Sequence, residues 1–214
     1  MRILAISDEV VPTVWSLGVR RLEPDVVLSA GDLPFDYLEY LVSTLNVPLA
    51  FVPGNHDRDL SGITVSRVGM ALRAGLPARE PGPAGALNVD GRCVDLGDLR
   101  VAGLGGSIRY RPGANQYTER QQARRARRLV RAARRLTRDG RGVDVLLTHT
   151  PPLGVGDGDD AAHRGFAVLH RVIRLLQPRY LLHGHIHPYG LATPEHVVGT
   201  TRVVNVVGRR VLDL

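Results

Sequence analysis

A chain of 214 residues, 43% hydrophobic and 23% charged without long runs of like residues, is long enough to bury one substantial core, which excludes a disordered or fibrous protein. No linker-like stretch interrupts it, so residues 1–214 are expected to form a single domain; no apolar run approaches the roughly 20 residues that cross a bilayer, and Met1–Asp8 meets an acid before a signal-peptide core forms, which reads as a cytoplasmic protein with no membrane partner. All 28 basic residues are arginine and, against 21 acids, give a formal charge of +7, which suits anionic partners but is also what a GC-rich genome would impose on a surface that needs only charge.

In chain order, three apolar runs end in polar tips. Ile3–Ile6 runs into Ser7-Asp8, Val26–Leu28 into Ser29-Ala30-Gly31-Asp32, and Leu49–Val52 into Pro53-Gly54-Asn55-His56-Asp57. They read as buried strands. Between them, residues 14–22 and 36–45 carry apolar residues at helical spacing, and alternation of strand with helix predicts a mostly parallel sheet. Residues 75–92 are rich in Gly and Pro, after which 92–96 and 99–104 flank Gly97-Asp98 as a hairpin would. Cys93, without a second cysteine for a disulfide or a thiolate cluster, reads as a small buried hydrophobe.

Residues 115–138 predict a helix with Ala123, Ala126, Leu129, Val130, Ala133 and Leu136 on one side and arginines on the other. Its arginine face reads either as a solvated outer surface, the favoured alternative, or as a patch for nucleic acid or a membrane surface. Strand and helix then resume: Val143–Leu147 ends at Thr148-His149-Thr150, a helix is predicted over 161–176, and Tyr180–Leu182 ends at His183-Gly184-His185-Ile186-His187. Short β-rich runs separated by Gly199-Thr200 and Gly208-Arg209 close the chain.

In an open α/β sheet, ligands bind at the carboxyl ends of the strands, so five polar strand tips are expected to converge. They would bring together two aspartates, an asparagine carbonyl and several imidazoles, a mixed oxygen and nitrogen set suited to Mn, Fe, Zn or Ni rather than to Ca or a thiolate-bound metal.

Asp8, Gly31-Asp32, Gly54-Asn55-His56-Asp57, Thr148-His149 and Gly184-His185-Ile186-His187 resemble, in that order, the blocks of the calcineurin-like metallophosphoesterase superfamily. The stretch Thr148–Leu153 with His163-Arg164-Gly165-Phe166 further resembles a compact bacterial branch of it. The resemblance implies an α/β sandwich of two mixed β-sheets flanked by α-helices. It also implies two divalent metal ions, and hydrolysis of a phosphomonoester or phosphodiester, a nucleotide among them, by direct attack of metal-bound hydroxide. Asp32 would bridge the metals, with Asn55, His149 and His185 completing one site and Asp8 and His187 belonging to the other.

The superfamily's histidine two residues after the first aspartate is here Val10, which cannot bind metal. Three arrangements answer that departure: Glu9 as an oxygen ligand, water in the vacant position, or one metal only.

The resemblance makes His56 the residue that protonates the leaving oxygen or stabilises the transition state, with Asp57 orienting His56 or its loop. His163 lines the pocket from a loop or belongs, with the acids of 157–160, to the cap of the next helix. Arg109, at the end of the Gly103–Arg109 stretch, is a candidate clamp for a substrate phosphate, with Tyr110, Asn115 and Tyr117 as pocket walls. His183, one position out of the ligand pair, reads as structural. Two rivals to an enzyme remain: a binding scaffold of the same fold, as in a retromer-coat member of the superfamily, and a nucleic-acid-binding protein using the arginine-rich helix.

Overall fold

The computed structural model describes residues 1–214 except 67, 69, 79–81 and 189–193. Two mixed sheets face one another. The first has the order β16-β1-β2-β3-β7, built from β1 (Arg2–Ser7), β2 (Val26–Ser29), β3 (Leu49–Phe51), β7 (Leu87–Asn88) and β16 (Gly208–Asp213). Its strands are parallel except for β16, which pairs antiparallel with β1 in the register Arg2 to Asp213 through Ser7 to Gly208. The second has the order β14-β15-β13-β12-β9-β8, from β8 (Cys93–Asp95), β9 (Arg100–Leu104), β12 (Val145–Thr148), β13 (Tyr180–His183), β14 (His196–Val198) and β15 (Thr201–Asn205). Its inner four strands are parallel, and its edges β8 and β14 run antiparallel. Two small accessories complete the β-structure: β4 (Ile63–Val65), β5 (Ala71–Arg73) and β6 (Leu76–Pro77) form one sheet, and β10 (Ser107–Ile108) pairs with β11 (Gln116–Tyr117).

The period-2 alternation of strand side chains explains why these strands read as unbroken apolar runs: both faces are covered. Ile3 and Ala5 point into the layer between the sheets with Val26, Leu28, Ala50, Val145, Leu147, Leu182 and Val204. Leu4 and Ile6 point the other way, onto α1 (Phe35–Leu45), through Tyr37, Leu38 and Leu41. The outer face of the second sheet is covered by α2 (Glu119–Leu136) and α3 (Val168–Leu176), which bury Leu129, Ala133, Leu169 and Ile173. Burying each Leu or Ile side chain contributes about 2 kcal/mol, so three such layers make the strand positions rigid.

Several helix boundaries move relative to the sequence reading. Of residues 14–22 only Leu17–Leu22 is helical, as a 3₁₀ turn capped by Ser16. The helix expected from residue 115 begins at Glu119, because Gln116–Tyr117 is taken up in pairing with β10 and Thr118 forms a reciprocal capping box with Gln121. The helix expected from residue 161 begins at Val168: Phe166 bridges to Pro152, and a Cβ at Gly165 would overlap the backbone of Pro151–Leu153. The final break falls at Val206–Val207 rather than at Gly208-Arg209, which lies inside β16. Cys93 is half-buried on an edge strand rather than buried, and burial still pushes its thiol up to about 11.

The N-terminus of α3 is capped from another element. The Glu119 carboxylate accepts the Val168 and Ala167 N–H groups at 2.7 and 3.2 Å, which supplies both a cap and a negative charge at the positive end of the helix. The acids of 157–160, for which capping of this helix is one of two alternatives in the sequence, hold their own loop instead: Asp157 accepts from Gly154 and Gly165, and Asp160 from Ala162 and His163. Glu119→Ala should therefore cost about 1 kcal/mol, read as a lower urea midpoint with an unchanged m-value.

Candidate metal centre

The carboxyl ends of β1, β2, β3, β12 and β13 meet at one edge of the sandwich. Three of the residues placed there, Asp8, Asp32 and His185, hold left-handed backbone with φ of 60°, 55° and 68°. Each costs on the order of 1 kcal/mol. This conformation turns the chain sharply as it leaves the strand and aims the side chain across the sheet ends.

His149 is fully buried. Its Nδ1 stands 2.7 Å from the Ala30 carbonyl, which can only accept, so the proton lies on Nδ1. Nε2 then faces the Asn55 Oδ1 at 3.1 Å and the Asp32 Oδ2 at 3.2 Å. Neither oxygen donates. A nitrogen lone pair held between two acceptor oxygens must share a cation with them, either a proton or a metal ion. Without metal the proton takes that place. Burial works against a charged ring, but the attraction of Asp32 outweighs it and raises His149 to about 9. Burial likewise works against the charge on Asp32, and its pairing with His149 nevertheless holds the carboxyl below the usual range.

His185 completes the group: one ligand atom each from Asp32, His149 and His185 lies within 4.8 Å of the others. Its Nε2 donates to the Ala162 carbonyl at 2.8 Å, which leaves the lone pair of a neutral ring on Nδ1. Burial and the neighbouring charge of His149 push its pKa down to about 3. One imidazole nitrogen pinned by a backbone carbonyl, with the other left to a cation, is how metal-bound histidines are oriented. The donor set of Asp32, Asn55, His149 and His185 therefore fits a divalent transition metal.

Asp8, Glu9 and His187 form a second cluster beside it. Asp8 accepts the His185 N–H at 2.9 Å and the Ser7 hydroxyl, and its Oδ1 lies 3.7 Å from the His187 Nε2. The Glu9 carboxylate lies 3.1 Å from the His187 Nδ1, so the acid next to Val10 already stands in this half of the site, while Val10 is 37% exposed.

The Gly54–Asp57 turn wraps the Asp32 side. The His56 N–H donates to Asp32 Oδ1 at 2.8 Å and its ring is exposed. Asp57 points back into the turn, accepting the Asp32 and Gly54 N–H groups at 2.9 and 2.8 Å, so its carboxylate braces the loop rather than the His56 ring. Burial pushes Asp57 up to about 6. His56, Asp57 and Asp32 line an open cleft of about 720 Å³ with Phe35, Glu39 and Arg58.

His163 hydrogen-bonds Asp160 through Nδ1 at 2.7 Å and stands with its ring 5.4 Å from that of His185. Arg109 is exposed, its guanidinium donates to the Gln116 carbonyl, and it is not among the residues that line this cleft. Tyr110 approaches the Asn55 amide at 3.4 Å, and Asn115 donates to the Asp57 carbonyl at 3.0 Å from a left-handed backbone of φ 51°. His183 is buried with Nδ1 on the Gly184 carbonyl at 3.0 Å.

Sequence reasoning passed over Ala30, Ala162, Ser7 and Asn205, which holds the Ile186 carbonyl at 2.7 Å. Two act through backbone carbonyls, which no side-chain pattern reveals.

The sequence matches the calcineurin-like phosphoesterase family over residues 1–189. The chain belongs to that family. UPF0046 protein T07D4.2 of Caenorhabditis elegans is 48% identical over 67 residues, which are 30% of this chain and 16% of that protein, so the match spans a small part of that curated relative. Among solved structures, TT1561 of Thermus thermophilus matches 97% of this chain and 89% of its own at a TM-score of 0.62 and 17% identity. Another crystal structure matches 99% and 94% at 0.64 and 16%. These two likenesses show the fold, the family's sandwich of two mixed sheets. Members typically bind divalent metals, and Asp32, His149 and His185 form a cluster here with the ligand atoms to hold one. Among the described residues, no helix is long and apolar enough to cross a membrane.

Two outcomes follow from this geometry. A Cβ at Gly54 would overlap Asp32 Oδ1 and the His149 ring, so Gly54→Ala should abolish metal retention in a dialysed sample while leaving the far-ultraviolet circular dichroism unchanged. His183 is pushed down from 6.5 to about 4, chiefly by burial. The unfolded chain therefore takes up a proton below pH 6.5 that the folded chain refuses until about pH 4, so stability is present above 6.5 and is lost as pH falls through that window. His183 alone should contribute a loss of about 2 kcal/mol between pH 6.5 and 5, read as the difference between the pH dependences of the parent and of His183→Asn, because His185, also held neutral, adds a loss of the same sign to both.

Proposed function

We propose that this chain is a metal-dependent phosphoesterase that cleaves a small phosphomonoester or phosphodiester by direct attack of water, without a covalent intermediate on the enzyme. The observation that carries the reading is the Asp32, Asn55, His149 and His185 donor set beside an open cleft that also holds His56. Divalent metal would be held by those four residues, with a second ion at Asp8, Asp32 and His187 and Glu9 taking the place of the family's missing histidine. Bound metal would supply an activated water at neutral pH and positive charge for the non-bridging phosphate oxygens.

The chain's own residues do the rest. Asp32 joins the two halves of the site and fixes the His56 backbone. Asp57, buried under the turn, keeps the Gly54–His56 segment in place. His56, with its ring free at the cleft, is placed to give a proton to the leaving oxygen. Arg58 lines the same cleft, which Arg109 does not, and is the better placed phosphate clamp. His163 borders the His185 side.

His56→Ala should keep its metal and lose activity by about 10²-fold or more; unaltered turnover in a metal-replete sample would remove His56 from the mechanism. Metal analysis should return two equivalents for both the parent and Val10→His, whereas one equivalent rising to two would assign a mononuclear enzyme. A screen of bis-p-nitrophenyl phosphate, p-nitrophenyl phosphate and cyclic nucleotides against Mn, Fe, Zn, Ni and Mg should find metal-dependent hydrolysis of at least one ester. No hydrolysis of any would favour the binding scaffold.

A further inference from the structure

We infer that the outer face of α2, continued by Arg171 of α3, binds the phosphodiester backbone of a nucleic acid without reading its sequence. Eight arginines make this face: the seven exposed arginines of α2 (all those from Arg120 to Arg135 except Arg125) and Arg171. None has a carboxylate partner among the described residues, whereas Arg125, on the inner side, is paired with Asp90. The one acid on α2, Glu119, is engaged at the N-terminus of α3.

Composition does not explain the face. A genome that replaces lysine by arginine changes the kind of cation and not its location. Here, setting these eight aside leaves twenty arginines against twenty-one acids, so the excess positive charge of the chain matches what the α2 face and Arg171 of α3 carry. Such segregation costs self-repulsion and is a steering surface for a polyanion.

The occupant follows from spacing and from what the face lacks. Over Arg120–Arg135 the seven charges fall about every 4 Å of helix axis at a rise of about 1.5 Å per residue, close to the about 3.4 Å between charges on one strand of a duplex. A membrane surface fits less well, because a helix that lies in a bilayer offers its apolar face, and the apolar face of α2 is buried under the second sheet. An acidic peptide seated in the small groove between the helices would meet Arg127, Arg131, Arg134 and Arg171 and leave the outer arginines unneutralised. Among the described residues neither helix exposes an aromatic ring, so bases have nothing to stack on and only the backbone is recognised. The inference stands apart from the phosphoesterase reading, since the face contributes no residue to the metal centre.

The test is fluorescence anisotropy of the full chain with a labelled 20-nucleotide single-stranded RNA and a 20-base-pair DNA duplex from 50 to 200 mM salt. Micromolar binding is expected, with log K falling against log salt at a slope of about −3 for about four phosphates on the single strand. Arg127→Gln/Arg131→Gln/Arg134→Gln/Arg171→Gln should weaken binding at least tenfold and flatten the slope, with an unchanged far-ultraviolet circular dichroism spectrum and urea midpoint as the sign of an intact fold. The same four positions changed to lysine should keep both affinity and slope. Absence of salt-dependent binding would overturn the inference, as would equal weakening by Arg20→Gln/Arg21→Gln/Arg92→Gln/Arg209→Gln, which removes the same charge elsewhere. Arginine-dependent binding to phosphatidylserine vesicles or polyglutamate as tight as to RNA would overturn the choice of partner.

Discussion

The site depends on one buried nitrogen. His149 is fixed by the Ala30 carbonyl on one side, and on the other its Nε2 faces two oxygens that cannot donate. An unpaired arrangement of this kind inside a protein costs several kcal/mol, and a cation between the three atoms relieves it. A proton does so in the absence of metal, at the cost of charging a ring that is wholly buried. A divalent ion does so with the ring neutral. The geometry is that of a cation site whichever cation fills it, and it ties together the tips of three strands, since Ala30 and Asp32 follow β2, Asn55 follows β3 and His149 follows β12.

Holding that arrangement requires a frame that does not relax. The layer between the sheets and the two outer layers bury both faces of every central strand, so the strand ends cannot drift to separate the three atoms. Against this rigidity the strained backbones of Asp8, Asp32 and His185 can persist. Gly54 and Gly184 serve the same end by leaving room. A side chain at either would strike Asp32 and His149, or Ser7 and Asp8, so backbone and ligand carboxylates approach more closely than any larger residue permits.

The two halves of the site differ in burial. Asp32, Asn55, His149 and His185 are enclosed, and all but Asn55 are fixed by backbone partners, whereas Glu9 and His187 lie at the rim and hold one another. A buried donor set needs little reorganisation on taking up an ion. A rim set of longer side chains adapts, which is what the proposed replacement of the superfamily's histidine by Glu9 requires. The arginine face of α2 obeys a separate logic: its inner side is fixed by packing on the second sheet, and its outer side is under no packing constraint, so the charge gathered there is free to serve a partner.

The strand order of apolar runs and polar tips, and with it the family, was legible in the sequence, because strands buried on both faces leave long apolar signals and because the block from Gly54 to Asp57 joined to Gly184–His187 recurs in few other contexts. The sequence also marked Val10 as a departure and both faces of α2. Helix starts were not legible at 119 and 168, since they depend on Gln116–Tyr117 pairing with a distant strand and on Phe166 bridging to Pro152. Nor was the role of Asp57, which looks in sequence like a partner of its neighbour His56 and in space braces two N–H groups from different strand ends. Local pattern determines which residues can carry charge, ligand atoms or apolar surface. Only the tertiary structure decides which carbonyl pins which imidazole, because those contacts join residues distant in the chain, 119 positions apart for Ala30 and His149 and 23 for Ala162 and His185.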